Sequence, residues 1–372
     1  MKRTRELLDL LAIDLPVVLA PMAGNSTPEL IAAVSNAGGL GSYGCAMLSR
    51  EQLADECKRI RTLSNRSFNL NFFCHAPPNV TAEQEDAWRA KLAPYYAELD
   101  VEVGSSAGGA RRPFDEETCD AVLAIGPRVV SFHFGMPKPG LVQRLKAAGM
   151  VLMSSATTSA EARRLVDLGA DVIVAQGFEA GGHRGMFLTS DINSQVGTMA
   201  LVPQVVDAVN VPVIATGGIA DARGAAAALA LGAAAVQVGT AYLFCPQAKV
   251  SAPHRAALRG AHDDETVLTN LFTGRPARGL VNRFIRELGP INATAPQFPT
   301  AANAVTPLRA EAERRGSSDF SPLWSGQAAA LAREVDAADL TRSLAAGMFE
   351  VLGDLGDAAR SAQGRQRTPA HN

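Results

Sequence analysis

Short apolar runs alternate with helical stretches through the first two thirds of the chain. Eight of these runs have the length and composition of buried strands. They span Val17–Met22, Leu40–Gly44, Phe68–Cys74, Val129–Phe134, Met150–Ser155, Val172–Gln176, Pro212–Thr216 and Ala235–Gly239. Parallel neighbours in a sheet must be joined by crossover helices, so eight such units predict an α/β fold that closes into a (β/α)8 TIM barrel.

Capping residues support helices between the strands. Thr27 is a suitable N-cap, Pro28 suits the first helical position, and the glycines at 38 and 39 end the helix. The predicted helices are Thr27–Ala37, Arg50–Leu63, Glu116–Ile125, Leu141–Ala148, Ala160–Leu168, Met199–Val209 and Ala222–Leu231.

The alternation is interrupted twice. A loop-rich insertion is predicted from His75 to about Pro113, and the rhythm breaks again after Tyr242. We therefore divide the chain into a barrel (1–245), a helical and irregular capping module inserted after the eighth strand (246–334) and a final barrel helix (335–357). The polar residues 358–372 are expected to form a disordered tail.

Composition narrows the function classes. The 372 residues carry a formal net charge of −2 and no basic run, which argues against nucleic acid and anionic membranes as partners. Five scattered cysteines without a Cys-x-x-Cys pair argue against a disulfide framework and a zinc site, and they fit the cytoplasm. No signal-peptide core follows the basic amino terminus, because Asp9 and Asp14 interrupt it. Small molecules are the expected partners, and a homodimer stays open.

One uncharged stretch, Gly224–Ala248, is long enough to cross a membrane. It consists largely of Ala and Gly, Gly232 suits a helix end, and the residues after it alternate as a strand does. A helix followed by a buried strand therefore explains the stretch better than a membrane span.

Glycine turns follow the last two predicted strands, where TIM barrels commonly bind phosphate. Gly217 and Gly218 follow the seventh strand, and Gly239 and Thr240 follow the eighth. Backbone N–H groups in such turns can approach phosphate oxygens closely, and a helix amino terminus adds a favourable dipole. Tight turns without a ligand are the alternative, but the coincidence of both turns with this position favours phosphate.

Two amides lie at or near strand ends. Asn71 interrupts an otherwise apolar strand, and Gln176 ends the sixth. Buried amides need hydrogen-bond partners, and the edge of a flavin ring would provide them. Each amide alone could be a satisfied core residue; together they favour cofactor contact.

The loop after the sixth strand contains the strongest catalytic candidate. His183 follows two glycines that permit close approach to a planar cofactor, and an imidazole is suited to accept a proton from carbon. Arg184 could attract an anionic substrate or form a surface ion pair. His133, near the end of the fourth strand, could face substrate or be a satisfied core histidine.

Several motifs together resemble bacterial class I nitronate monooxygenases, formerly called 2-nitropropane dioxygenases. The resemblance covers roughly residues 15–330, and its most specific part is QGFEAGGHRG. The other motifs are APMAG (20–24), SNAGGLG (35–41), SFHFGMP (131–137), ATGGI (215–219), QVGTAYL (237–243) and SPLWSGQA (321–328).

The resemblance implies noncovalently bound FMN and oxidation of alkyl nitronates by O2 to carbonyl compounds and nitrite, without NAD(P)H. Met22 would lie against the isoalloxazine ring, and His183 would be the catalytic base. The residues implied in FMN contact are Asn71, Gln176, Gly181, Gly218, Gln237, Val238, Gly239 and Thr240.

The resemblance leaves other functions open. An FMN-dependent enoyl-ACP reductase would share the barrel and a similar Gly-Gly-His loop, and an NAD(P)H:quinone reductase is a second rival. A non-catalytic flavin- or phosphate-binding protein would not require His183. Propionate 3-nitronate as substrate is in doubt, since residues 299–308 offer no Lys or Tyr for its carboxylate; Arg309 or Arg184 could replace them.

Overall fold

The computed structural model describes residues 2–102 and 111–366. Eight parallel strands form one sheet: β1 (Val17–Leu19), β2 (Gly41–Gly44), β3 (Phe68–Phe73), β4 (Val129–His133), β5 (Val151–Ala156), β6 (Val172–Gln176), β8 (Val213–Thr216) and β9 (Ala235–Val238). A short strand between β6 and β8, β7 (Gly182–His183), belongs to a second sheet. Their order is β1-β9-β8-β6-β5-β4-β3-β2, and a bridge between Val18 and Leu40 joins the two edge strands. The TIM barrel is thereby confirmed.

Helices connect the strands as the sequence predicted, with small shifts at their ends. The helices of this region are α2 (Pro28–Asn36), α3 (Arg50–Leu63), α5 (Glu116–Ile125), α6 (Pro139–Ala147), α7 (Ser159–Asp167), α8 (Thr198–Ala208) and α9 (Ala222–Ala230). Thr27 caps α2 through its side chain, as expected, and Ser49 caps α3 in the same way. The stretch 224–248 is indeed a helix and a buried strand followed by a 3₁₀ turn (Thr240–Phe244). Within the described ranges, no helix is both long and apolar enough to cross a membrane.

Helix α1 (Lys2–Leu11) closes the amino-terminal end of the barrel. Its side chains Leu7 and Leu11 are fully buried in one cluster with inward-facing strand residues, among them Val129, Val172 and Ile214. Burying each leucine contributes about 1.5–3 kcal/mol. The amino-terminal half of the barrel interior is therefore filled and apolar, which leaves the carboxyl end for chemistry.

The insertion after β3 was predicted to be loop-rich, and this is wrong in part. It contains α4 (Ala82–Leu99), which begins with a capping box between Thr81 and Gln84. Trp88 and Tyr96 of α4 are buried in a second apolar cluster with Phe284 and Leu308 from the later segment. The two regions that interrupt the barrel rhythm thus pack on each other.

The segment after β9 contains α10 (Ala252–Arg259), β10 (Thr266–Thr269), β11 (Ala277–Leu280), α11 (Arg283–Leu288) and α12 (Ala301–Arg314). Strands β10 and β11 form a small antiparallel sheet, and its third strand is β7 from the loop after β6. This sheet fixes the loop that contains His183 against the capping segment.

Helix α13 (Ala337–Gln366) packs on α9 and α2 and completes the barrel's outer layer. It continues beyond residue 357, although we expected disorder from 358. The extension is rich in alanine, a strong helix former, and its first proline is at 369. Residues 367–372 lie outside the described residues.

Candidate active site

The inward-facing side chains change from apolar to polar toward the carboxyl end of the barrel. Along β4, Val129 lies in the apolar interior, whereas Ser131 and His133 line a cleft at the mouth. Thr216 of β8 and Gln237 of β9 line the same cleft. It encloses about 1420 Å³ when the open solvent at its mouth is included.

Glycine-lined turns form one side of this cleft. Gly217 and Gly218 adopt φ angles of 117° and 68°, which only glycine adopts without strain. Asp221 then caps α9 by accepting hydrogen bonds from two backbone N–H groups. Gly239 also lines the cleft, as does Thr240, whose hydroxyl accepts a hydrogen bond from Gly326 N at 2.9 Å.

Gly181 brings a third segment to the same place. A Cβ on Gly181 would lie 2.6 Å from Gly326 N and from the carbonyl carbon of Ser325, so only glycine fits. The turns after β6, β8 and β9 thus line the cleft together with Gly326. Such an arrangement of N–H groups beside a helix amino terminus is able to bind a phosphate. The contribution of Ser325 and Gly326 was not predicted individually.

Apart from Gln176, four residues predicted to contact the cofactor remain, of which three line the cleft and one does not. Met22, after β1, lines the cleft, and so does Asn71, whose amide Nδ2 donates to Ser131 Oγ at 2.9 Å. Gln237 lines it as well. Val238 does not: its side chain is buried between the barrel and the surrounding helices, because successive strand residues face opposite sides.

Gln176 lines the cleft, but its amide is engaged with the neighbouring loop. Its Nε2 donates to His183 O at 2.9 Å, and its Oε1 accepts from Gly185 N at 2.7 Å. The side chain therefore fixes the backbone on both sides of Arg184. We expected a direct cofactor contact here, and the observed contacts are with the protein.

His183 lines the cleft from β7, where it pairs with Ala277 of β11. Its Nε2 lies 2.9 Å from Thr273 Oγ1, and its ring contacts Phe298 and Trp324 at centroid distances of 5.3 and 5.5 Å. Burial, and then the guanidinium of Arg111, hold the pKa of this imidazole well below its usual 6.5. His183 is therefore neutral at pH 7 and able to accept a proton.

His133 also lines the cleft, yet both of its ring nitrogens have protein partners. Nε2 donates to His183 O at 3.1 Å, and Nδ1 accepts from the Ser155 hydroxyl at 3.0 Å. Burial lowers its pKa to about 3, so it is neutral. Instead of the substrate contact expected from its strand-end position, His133 supports the backbone of His183.

Arg184 is fully buried and is not among the residues that line the cleft. Its guanidinium donates to Gly177 O at 2.6 Å, to Gln176 O at 2.9 Å and to Gln195 Oε1 at 3.0 Å. The expectation that it attracts an anionic substrate does not fit this placement, and neither does a surface ion pair. Through these three hydrogen bonds, the buried Arg184 side chain holds the two ends of the loop together.

Two other arginines were missed by the sequence reasoning. Arg111 lines the cleft, and Arg275 lies over the Phe134 ring at 3.9 Å and donates to Met186 O. Among the described residues, neither forms an ion pair with a carboxylate. Neither belongs to a recognisable motif, so only the folded arrangement reveals the positive potential near His183.

The chain is similar to known proteins of one enzyme family. A family model described as nitronate monooxygenase matches residues 4–347. A nitronate monooxygenase of Pseudomonas aeruginosa is 43% identical over 90% of this chain and 96% of its own length, and one from Paraburkholderia phytofirmans is 41% identical over 91% and 94%.

Solved structures show the same fold. A nitroalkane oxidase from Streptomyces ansochromogenes, 40% identical, superposes with a TM-score of 0.86 over 94% of this chain and 99% of its own. FabK from Thermotoga maritima, 27% identical, superposes with a TM-score of 0.73 over 95% and 98%. On these matches, the chain belongs to the nitronate monooxygenase family of oxidoreductase enzymes.

Proposed function

We propose that this enzyme uses noncovalently bound FMN to oxidise alkyl nitronates with O2, giving carbonyl compounds and nitrite. The observation that carries the proposal is the neutral imidazole of His183 on the same cleft as the glycine-lined turns. Sequence relatives named nitronate monooxygenase and a structural relative named nitroalkane oxidase support the same chemistry.

The residues of the cleft fit FMN. The turns at Gly181, Gly218 and Gly239 line the cleft and would bind its phosphate through their backbone N–H groups. Asn71 offers an amide for the ring edge, and Met22 offers an apolar surface for the ring face. When bound, FMN would supply the one-electron chemistry that these side chains cannot perform.

The protein's own residues would bind the substrate and move its proton. For a neutral nitroalkane, His183 would remove the α-proton, and its uncharged state at pH 7 leaves it ready to do so. The guanidinium groups of Arg111 and Arg275 would favour the nitronate anion, because the positive potential acts in a partly desolvated site. Phe298 and Trp324 beside His183 would limit water at the reacting carbon.

The test starts from the purified holoenzyme. We expect a flavin absorbance spectrum, and FMN in the released cofactor fraction. Under anaerobic conditions an alkyl nitronate should change that spectrum whereas NADH should not, and in air the nitronate should yield nitrite. Rapid bleaching by NADH with no response to nitronate would instead identify a reductase. A colourless protein that does not bind added FMN would refute the proposal.

A further inference from the structure

The two ring nitrogens of His183 have different surroundings. Nε2 lies 2.9 Å from the hydroxyl oxygen of Thr273, a residue only 2% exposed in the connection between β10 and β11. No protein group among the described residues pairs with Nδ1, and this atom is not one of the fully buried unpaired atoms. Because His183 lines the cleft, Nδ1 is the nitrogen available to a ligand.

The second contact of Thr273 indicates which way the proton points. Its hydroxyl also lies 3.5 Å from the carbonyl oxygen of Arg275, which can only accept a hydrogen bond. With the hydroxyl hydrogen directed to that carbonyl, Oγ1 is left to accept a proton from His183 Nε2. The imidazole then exists as the Nε2–H tautomer, and the lone pair of Nδ1 faces the cleft.

Protonation of the imidazole leads to the same assignment. Once His183 has taken a proton, both ring nitrogens carry hydrogen, so Nε2–H must be donated and Thr273 must accept it. If Nδ1 receives the proton, this hydrogen bond is unchanged during the reaction. If Nε2 received it, the Thr273 hydroxyl would have to reverse, and it would also obstruct the substrate.

The backbone leaves the ring little freedom to exchange its nitrogens. His183 pairs with Ala277 in the small sheet, and its carbonyl oxygen accepts hydrogen bonds from both Gln176 and His133. Phe298 and Trp324 pack against the ring itself. The orientation of the imidazole is therefore determined from several sides, with Thr273 as the only described polar partner of its ring.

We propose that His183 Nδ1 is the proton-accepting atom, and that Thr273 is a positioning residue that holds the imidazole in the Nε2–H tautomer. This inference rests on the proposed function, in which His183 is the base. It adds an atom and a second residue: the C–H bond of a neutral nitroalkane would break as Nδ1–H forms, and the electron pair would remain on the substrate as its nitronate.

Two variants of the holoenzyme test the role of Thr273. T273V keeps the shape but cannot accept the Nε2 proton, whereas T273S keeps the hydroxyl. We expect T273V to lose roughly tenfold or more in kcat/KM for nitroethane, which is part of the about 10²–10⁴-fold that a general base contributes. Turnover of preformed ethyl nitronate, which needs no base, should stay within about twofold, and T273S should resemble the wild type with both substrates. Equal losses with both substrates in T273V, or none, would overturn the positioning role.

A spectroscopic measurement tests the tautomer without turnover. In the ¹⁵N-histidine-labelled holoenzyme, the His183 signals are those missing from the H183N variant. We expect chemical shifts of an Nε2–H imidazole in the wild type and in T273S, and a shifted tautomer equilibrium in T273V. An Nδ1–H imidazole in the wild type would overturn the inference. If the tautomer is as expected but nitronate yields no nitrite, the proposed function fails while the assignment of Thr273 stands.

Discussion

The titratable side chains that depress the pKa of His183 are all basic. After burial, the contributions come from Arg111, His133, Arg275 and His75, with no carboxylate among them. This surrounding disfavours an imidazolium and at the same time favours a bound anion. If His183 acts as the proposed base, the negative charge of the bound nitronate would offset the unfavourable charge of the imidazolium formed with it.

Replacing His183 by asparagine should separate binding from proton transfer. The substitution removes the base but keeps a small polar side chain, so H183N should retain FMN. We expect turnover of neutral nitroethane to fall by about 10²–10⁴-fold, and that of preformed ethyl nitronate to fall far less. Steady-state nitrite production with both substrates measures the two effects. Unchanged nitroethane turnover would remove His183 from the mechanism.

At the residue scale, the sequence could identify His183 but not all of its neighbours. The two glycines before it indicated close approach to a ligand, and that signal is local. Arg184 has the same local context, yet its side chain turns inward to the carbonyls of 176 and 177. Arg111 reaches the cleft from an insertion, and no local pattern records that. The direction of the Arg184 side chain and the long-range contact of Arg111 with the cleft are set by the fold, so the positions of these two arginines could not be predicted from local sequence.

At the scale of elements, the long loop between β6 and α8, which contains β7, is held near both of its ends. Arg184 donates to the carbonyls at its start and to Gln195 near its end. Glu179 accepts hydrogen bonds from the backbone N–H and the hydroxyl of Thr198, at the start of α8. The position of His183 therefore depends on these polar contacts together with the aromatic packing of its ring.

Arg184→Met should show how much this loop depends on the buried guanidinium. The methionine fills similar space but removes the guanidinium donor from the carbonyl of Gln176, and it leaves the carbonyl of Gly177 with only the N–H of Ala180. Leaving a buried acceptor unpaired costs about 1–3 kcal/mol, so we expect destabilisation of about that size in urea unfolding. Arg360→Met, at an exposed position near the end of α13, is the matched control and should unfold like the wild type. Equal stability of R184M and R360M would contradict the anchoring role.

The turn at Gly181 makes a separate prediction about cofactor binding. A methyl group there would collide with the backbone of Ser325 and Gly326, which cannot rotate away as a side chain can. The turn should shift, and G181A should bind FMN at least about tenfold more weakly, a loss of about 1.4 kcal/mol. Fluorescence titration of the apoprotein measures this. Gly353→Ala, where a Cβ meets nothing within 4 Å, is the control; affinity equal to that control would exclude these turns from cofactor binding.

The barrel strands could be predicted at this scale because each one is a buried apolar run with a helix on either side. Strand β7 could not, since two residues carry no periodicity and pair only with the distant β11. Helix α4 was missed for a different reason. Its capping box is visible at Thr81, but the prolines and glycines around the helix suggested a loop, and its apolar face has a partner only in the remote α11 and α12 segment.

At the scale of the whole molecule, the barrel separates stability from chemistry. The amino-terminal half is closed by α1 and filled with apolar side chains, whereas polar groups collect at the carboxyl end under the capping segment. Burying that polar end leaves several histidines uncharged. The pKa values of His75 and His254 are lowered to about 4 and that of His133 to about 3, mainly by burial.

These lowered pKa values make the fold sensitive to acid. An unfolded chain binds protons at its histidines below about pH 6.5, while the folded chain does not until about pH 3–4, so stability is complete above 6.5 and falls below it. Each such histidine contributes a slope of up to about 1.4 kcal/mol per pH unit in that window.

His254, outside the cleft and bonded to Trp324 O, allows a test that leaves the base intact. Between pH 6 and pH 5, the free energy of unfolding measured in urea should fall less for H254Q than for the wild type. The difference should be about the contribution of one such histidine over one pH unit. H262N, which changes an exposed histidine, should keep the wild-type slope. An H254Q slope equal to the wild-type slope would show that burial of this imidazole does not govern the acid response.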